Sequence, residues 1–262
     1  MSSLSVTLVQ ANLHWENPSA NLSMLEEQIS AAGKTEVVVL PEMFSTGFSM
    51  KPESLAETMD GPTVQWMKQV ATTQKIILTG SAIIRDNNQF FNRLIWMLPN
   101  GQYGYYDKRH LFAFAGEDQH YASGSRRLIA QVKGWKINLQ VCYDLRFPVW
   151  ARQQPTENNA PEYDLLIYVA NWPERRNHAW KTLLQARAIE NQCYVIGVNR
   201  VGDDGNGIYH SGDSMVVDPM GEVLFTQANE AIVKTITLEK SALEQVREKL
   251  PFLRDRDPFS IG

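Results

Sequence analysis

Two hydrophobic rhythms take turns along this chain. A strand sends successive side chains to opposite faces, whereas a helix returns the same face every three or four residues, so the two can be told apart. Residues 5–9 predict a first strand, and residues 21–29, with Leu22, Leu25 and Ile29 at helical spacing, a first helix. Residues 37–40 are apolar without interruption and stop at Pro41, the mark of a strand covered on both faces. A helix carrying Val64, Met67 and Val70 on one side follows Gly61-Pro62-Thr63; strands are predicted over 75–84 and 90–98, and Pro99-Asn100-Gly101 turns the chain into 103–106. Strands over 128–132 and 135–141 share the turn Lys133-Gly134, and 164–169, 179–191 and 194–198 read as strand, helix, strand. Residues 214–218 and 222–226 flank the hairpin turn Pro219-Met220-Gly221, a charged helix is predicted over 238–250, and the tail 251–262 reads as extended. Hairpins mixed with strand–helix alternation predict an α/β sandwich of two mixed β-sheets rather than a purely parallel sheet, in one domain over 1–262.

Composition narrows the function classes. The chain is 44% hydrophobic with a formal charge of -4 and no basic stripe, which argues against a nucleic-acid or acidic-membrane partner. The densest basic group, Arg175-Arg176 with His178 and Lys181, reads as a solvated helix face. No apolar run approaches the ~20 residues of a membrane span. Residues 1–4 lack the basic and apolar regions of a secretory leader, so a cytoplasmic protein is expected. Cys142 and Cys193 are the only cysteines, too few for a disulfide framework or a four-cysteine zinc site, and neither a metal nor another cofactor is expected.

Candidate chemistry gathers where buried strands end. The strand over 135–141 delivers Cys142 to a polar turn where a helix is expected to begin, and backbone N–H groups there, with a nearby ammonium, would favour a thiolate and a developing oxyanion. Glu42 follows the strand 37–40 beside Met43 and Phe44, a desolvated setting suited to a general base. Lys108 follows an aromatic strand, and Glu117, before the turn Ser123-Gly124, is placed to orient a lysine or a substrate amide. Strand ends converge at one edge of an open sheet, where such sites form. None of His14, His110, His120, His178 and His210 has a matched Asn or Asp context, so a carboxylate–lysine pair is the better partner for a cysteine nucleophile. Cys193, opening an apolar strand, is expected to be buried and inert.

These residues carry a resemblance. Residues 40–44 around Glu42, 106–112 around Lys108 and 141–148 around Cys142 are similar to the three signature segments of the carbon–nitrogen hydrolases (nitrilase superfamily), in that family's order. Further likeness lies at 170–173, 186–191 and 199–202, and the whole runs from about Val6 to about Ile236. The resemblance implies a four-layer α-β-β-α sandwich, Cys142 as nucleophile, Glu42 as base, Lys108 as third triad member, Glu117 as the second glutamate, and a homodimer or larger homo-oligomer. Val149 departs from it, since many amidases of this type carry a glutamate there.

Tyr143-Asp144 after the cysteine resembles the ω-amidase branch, which implies hydrolysis of 2-oxoglutaramate or 2-oxosuccinamate to the 2-oxo acid and ammonia. Tyr143 would lend its backbone N–H. Arg146 projects toward the same pocket and has two candidate partners, a substrate carboxylate or a structural acid such as Asp144. Asn171 and Trp172 shape the pocket rim, unless the tryptophan is a subunit contact. The alternatives are a deaminated-glutathione amidase, carbamoylase or nitrilase of the same family, and, from another class, a catalytically silent binding protein.

Overall fold

A computed structural model of the protein describes residues 2–154, 156 and 160–261; Met1 and Gly262, the ends of the expected domain and tail, lie outside them. Two sheets are stacked face to face. The first runs β13 (Ile232–Glu239), β1 (Ser3–Gln10), β2 (Val37–Val39), β3 (Ile77–Asp86), β4 (Gln89–Met97), β5 (Tyr103–Asp107). The second runs β10 (Val201–Asp203), β11 (Tyr209–Val217), β9 (Tyr194–Asn199), β8 (Leu165–Ala170), β7 (Trp135–Val141), β6 (Leu128–Val132), with β12 (Val223–Ala228) paired to β11. Each has a parallel centre, β1–β2–β3 and β7–β8–β9, and antiparallel flanks, so both are mixed.

The uninterrupted apolar run of β2 has a physical cause. Val37 and Val39 face the second sheet in a core shared with Leu4, Val6, Ile137 and Leu139, while Val38 and Leu40 pack outward. That outer face is covered by α1 (Pro18–Ala31) and α3 (Pro62–Gln74) through Leu25, Ile29, Val64 and Met67. On the far side α6 (Asn177–Asn191) lays Trp180, Leu184 and Ala188 on the second sheet. The four layers are therefore helix, sheet, sheet, helix. Helix starts follow local chemistry: Asn17 accepts the Ala20 N–H at 3.2 Å ahead of Pro18, and the Glu57 carboxylate takes the Thr63 N–H at 2.7 Å at the start of α3.

Three expectations change. The strand β13 was hidden, because Leu238 fits both the strand and the expected helix; the strand runs to Glu239, and the helix α7 is Lys240–Lys249. The tail is not wholly extended: Phe252–Asp255 make a 3-10 turn that buries Leu253. Cys142–Arg146 likewise form a 3-10 turn rather than the start of an α-helix. Two short helices, α4 (Glu117–His120) and α5 (Pro148–Ala151), lie on either side of Cys142 in the sequence, and a further short helix, α2 (Pro52–Leu55), lies before α3.

Candidate active site

Strand ends of both sheets meet at one edge. Glu42 follows β2, Lys108 follows β5, Cys142 follows β7 and Asn171 follows β8. Glu42, Lys108 and Glu117 are fully buried, and Cys142 is nearly so. The Lys108 Nζ donates to Glu42 Oε1 at 2.9 Å and to Glu117 Oε2 at 2.8 Å. Glu117 also accepts the Phe112 N–H at 2.6 Å, and Glu42 accepts the Asn171 N–H at 2.8 Å. The lysine backbone is clamped as well: its N–H reaches Asn92 O at 3.0 Å and its carbonyl accepts Gly124 N–H at 2.9 Å. Gly124 permits that approach, since a Cβ there would lie 2.1 Å from Asp107 O.

Cys142 sits at φ 44°, in the left-handed region that costs a non-glycine residue about 1–3 kcal/mol. The turn is enforced by Asp144, whose Oδ2 accepts the Val141 N–H at 3.0 Å and the Tyr106 hydroxyl at 2.7 Å. Its Oδ1 takes the His110 N–H at 2.9 Å and lies 2.8 Å from His110 Nδ1. A histidine–aspartate pair therefore does exist, against expectation; the two are far apart in sequence and only folding joins them. His110 stacks on Phe147 and lines a separate small cavity, not that of Cys142.

The charges couple. Burial works against the Lys108 ammonium, but Glu117 and Glu42 outweigh it and hold its pKa above the ordinary lysine value. Burial raises the Glu117 pKa, Lys108 opposing and Glu42 reinforcing. For Cys142 burial, then the Glu42 carboxylate, push the thiol well above its usual pKa, with Lys108 only partly offsetting them. Desolvation and a neighbouring anion thus outweigh one ammonium and favour the protonated thiol, which leaves a general base a proton to take. Cys193 is fully buried and burial pushes its thiol up too, as an inert core cysteine requires.

A cavity of about 630 Å³ opens above the sulfur, lined by Lys108, Cys142, Tyr143, Arg146, Asn171 and Trp172 among others. Arg146 is not paired to Asp144, whose oxygens are taken; its guanidinium lies 5.1 Å from the Trp172 ring centre. Asn171 does more than shape the rim, for its Nδ2 also holds the Glu42 carbonyl at 2.5 Å. Trp172 donates from its backbone to Asn199 Oδ1 at 2.7 Å and from Nε1 to Arg176 O at 2.9 Å. Arg175 and Arg176 line this cavity as well and are not simply a solvated helix face. Sequence reasoning also missed Asn92, a buried amide on β4 whose Nδ2 bridges Glu42 Oε1 at 2.7 Å and Glu117 Oε1 at 3.1 Å. Its signal was an amide inside an otherwise buried strand, which needs a polar partner. Among the described residues no three His, Cys, Asp or Glu side chains are placed to hold a metal, and no helix is long and apolar enough to cross a membrane.

The carbon–nitrogen hydrolase family model matches residues 5–248. The chain is 43% identical to the omega-amidase YafV of Escherichia coli strain K12 over the full length of both. It is 34% identical to a 2-oxoglutaramate amidase of Bacillus subtilis strain 168, over 96% of each chain. The crystal structure of XC1258 from Xanthomonas campestris, a CN-hydrolase superfamily protein with an arsenic adduct in its active site, superposes with a TM-score of 0.97 at 44% identity over all of both chains.

Proposed function

The chain belongs to the carbon–nitrogen hydrolase family, and on that premise we propose that it is an ω-amidase, releasing ammonia from the terminal amide of short 2-oxo dicarboxylic acid monoamides such as 2-oxoglutaramate and 2-oxosuccinamate. One observation carries the reading: a thiol, two carboxylates and an ammonium converge under a pocket whose Arg146 has its guanidinium free of Asp144. The likeness to YafV and to the Bacillus subtilis enzyme supports the same substrate class.

In this reading Cys142 is the nucleophile. Because its thiol rests protonated, the proton passes to Glu42 as the sulfur closes on the amide carbon. Lys108 and the Tyr143 N–H receive the developing oxyanion, while Glu117 keeps the ammonium aimed. Glu42 next protonates the leaving nitrogen, the C–N bond breaks, and ammonia departs from a thioester. The same carboxylate then draws a proton from water, which attacks the thioester and frees the 2-oxo acid and the thiol. Arg146 binds the far carboxylate, and Asn171 fixes Glu42.

The exposed apolar side chains Val149, Ile189 and Met220 support a homodimer, to be checked by sedimentation, and two free thiols fit a cytoplasmic setting. The decisive experiment for the activity is ammonia release across 2-oxoglutaramate, 2-oxosuccinamate, neutral amides, ureido acids and nitriles, with Cys142→Ala as control. Intact-mass measurement after mixing with substrate should reveal an acyl adduct on the wild type alone. Preference for a nitrile or ureido acid would sink the reading.

A further inference from the structure

Three guanidinium groups, Arg146, Arg175 and Arg176, line the cavity that holds Cys142. Two of them lie over aromatic rings of the same wall: Arg146 is 5.1 Å from the Trp172 ring centre and Arg176 5.1 Å from that of Phe112. Stacking holds a guanidinium plane while leaving its N–H edge free for a ligand. Among the described residues none of the three enters an ion pair. The acids of the cavity wall are already engaged, Glu16 with Lys51 at 3.0 Å and Asp204 with the N–H groups of Asn206 and Ile208. Burial, and then Arg175, draw the Arg176 pKa below the usual arginine value, as expected of cations crowded into one wall, and Arg176 shares that wall with Cys142.

Resting on the ω-amidase reading, we infer that Arg176 determines specificity: together with Arg146 it grips the carboxylate and 2-oxo oxygen of the substrate and turns away 2-amino acid amides. 2-Oxoglutaramate and glutamine share chain length, carboxylate and terminal amide, and differ only at C2. A 2-oxo oxygen accepts a hydrogen bond from a guanidinium. An ammonium at the same carbon is a cation with donors only, placed against unneutralised arginines, and it leaves their N–H groups unanswered. One change at C2 thus converts an attraction into a repulsion.

The test compares kcat/KM for 2-oxoglutaramate and for L-glutamine in the wild type, Arg176→Gln and Arg176→Lys. Arg176→Gln should lower the value for 2-oxoglutaramate about 30-fold, mainly through KM, and leave glutamine equal or better, so that the ratio falls at least about tenfold. Arg176→Lys, which keeps the charge and loses the fork, should raise KM yet still reject glutamine. A readout independent of turnover is the alkylation of Cys142 by iodoacetamide: with each variant referred to its own unprotected rate, Arg176→Gln should need at least about ten times more 2-oxoglutarate for half-protection than the wild type. An unchanged substrate ratio in Arg176→Gln, unchanged protection, or loss of glutamine rejection in Arg176→Lys would overturn the role of Arg176. Wild-type inactivity toward 2-oxoglutaramate would instead overturn the parent reading.

Discussion

Asn92 Nδ2 reaches Glu42 Oε1 at 2.7 Å from the same strand position whose carbonyl holds the Lys108 N–H. The same amide touches Glu117 at 3.1 Å, so it spaces two carboxylates that share one ammonium. A hydrogen bond to a buried charged group is worth about 1.5–3 kcal/mol. Asn92→Leu, near in volume, should therefore lower kcat about 10- to 100-fold with KM little changed. Steady-state kinetics on 2-oxoglutaramate would decide it, and a wild-type kcat would show the bridge to be idle.

Lys108→Met removes the cation between Glu42 and Glu117. Loss of an oxyanion donor of about 3–4 kcal/mol predicts a turnover lower by two to three powers of ten. The two orphaned carboxylates add a stability cost of about 3–5 kcal/mol, readable in urea unfolding at pH 7 and shrinking as the medium is acidified. The sign follows from protonation: an uncharged carboxyl no longer needs the ammonium.

Little of the thiol's state was legible in the sequence. Cys142 and Glu42 could be picked out because each closes a strand whose burial is written in its own apolar pattern, whereas Lys108 follows the largely exposed aromatic β5 and stood out through its motif. The burial of the sulfur and the Glu42 charge beside it, however, arise from the folded chain and are contained in no local pattern. The same holds for Asn92, Arg176 and the His110–Asp144 pair, whose partners are distant in the chain. The edge strand β13 escaped for another reason: its residues are half-exposed, so its alternation is weak and merges with the helix that follows.

Backbone strain at Cys142 should be measurable. Cys142→Gly and Cys142→Ala both lack the sulfur, but only glycine adopts φ 44° freely. The glycine variant should be the more stable of the two by about 1 kcal/mol, from denaturant midpoints at equal m-value. Equal midpoints would mean that the turn relaxes once the sulfur is gone.

Arg146→Ala should raise KM for 2-oxoglutaramate at least about tenfold, the scale of a lost charge-assisted contact, and alter KM for a neutral amide far less. A matched rise for both substrates would assign Arg146 to packing on Trp172 instead of to the carboxylate.

His210 should make the fold acid-sensitive. It is buried with Nδ1 2.9 Å from Ile208 O, and burial, reinforced by Arg200, lowers its pKa to about 4. An unfolded chain takes up the proton near pH 6.5, whereas the folded chain resists until about pH 4. Stability is thus intact above pH 6.5 and declines as pH falls through that window, by up to about 3 kcal/mol. Unfolding midpoints taken between pH 7 and 4 should show the decline, and His210→Gln should flatten it; parallel curves would refute the assignment.

The seam between the two sheets has a consequence for the chain before it is finished. Lys108 and the proposed base ride on the first sheet, and the cysteine rides on the second. The first sheet is closed at its β1 edge only by β13, near the end of the sequence. A growing polypeptide therefore carries Glu42, Lys108 and the sulfur long before the strand that closes the first sheet has been made. Reactivity is withheld until the halves dock, so an immature or loosened copy holds an ordinary thiol, not an unguarded nucleophile loose among the amides of its surroundings.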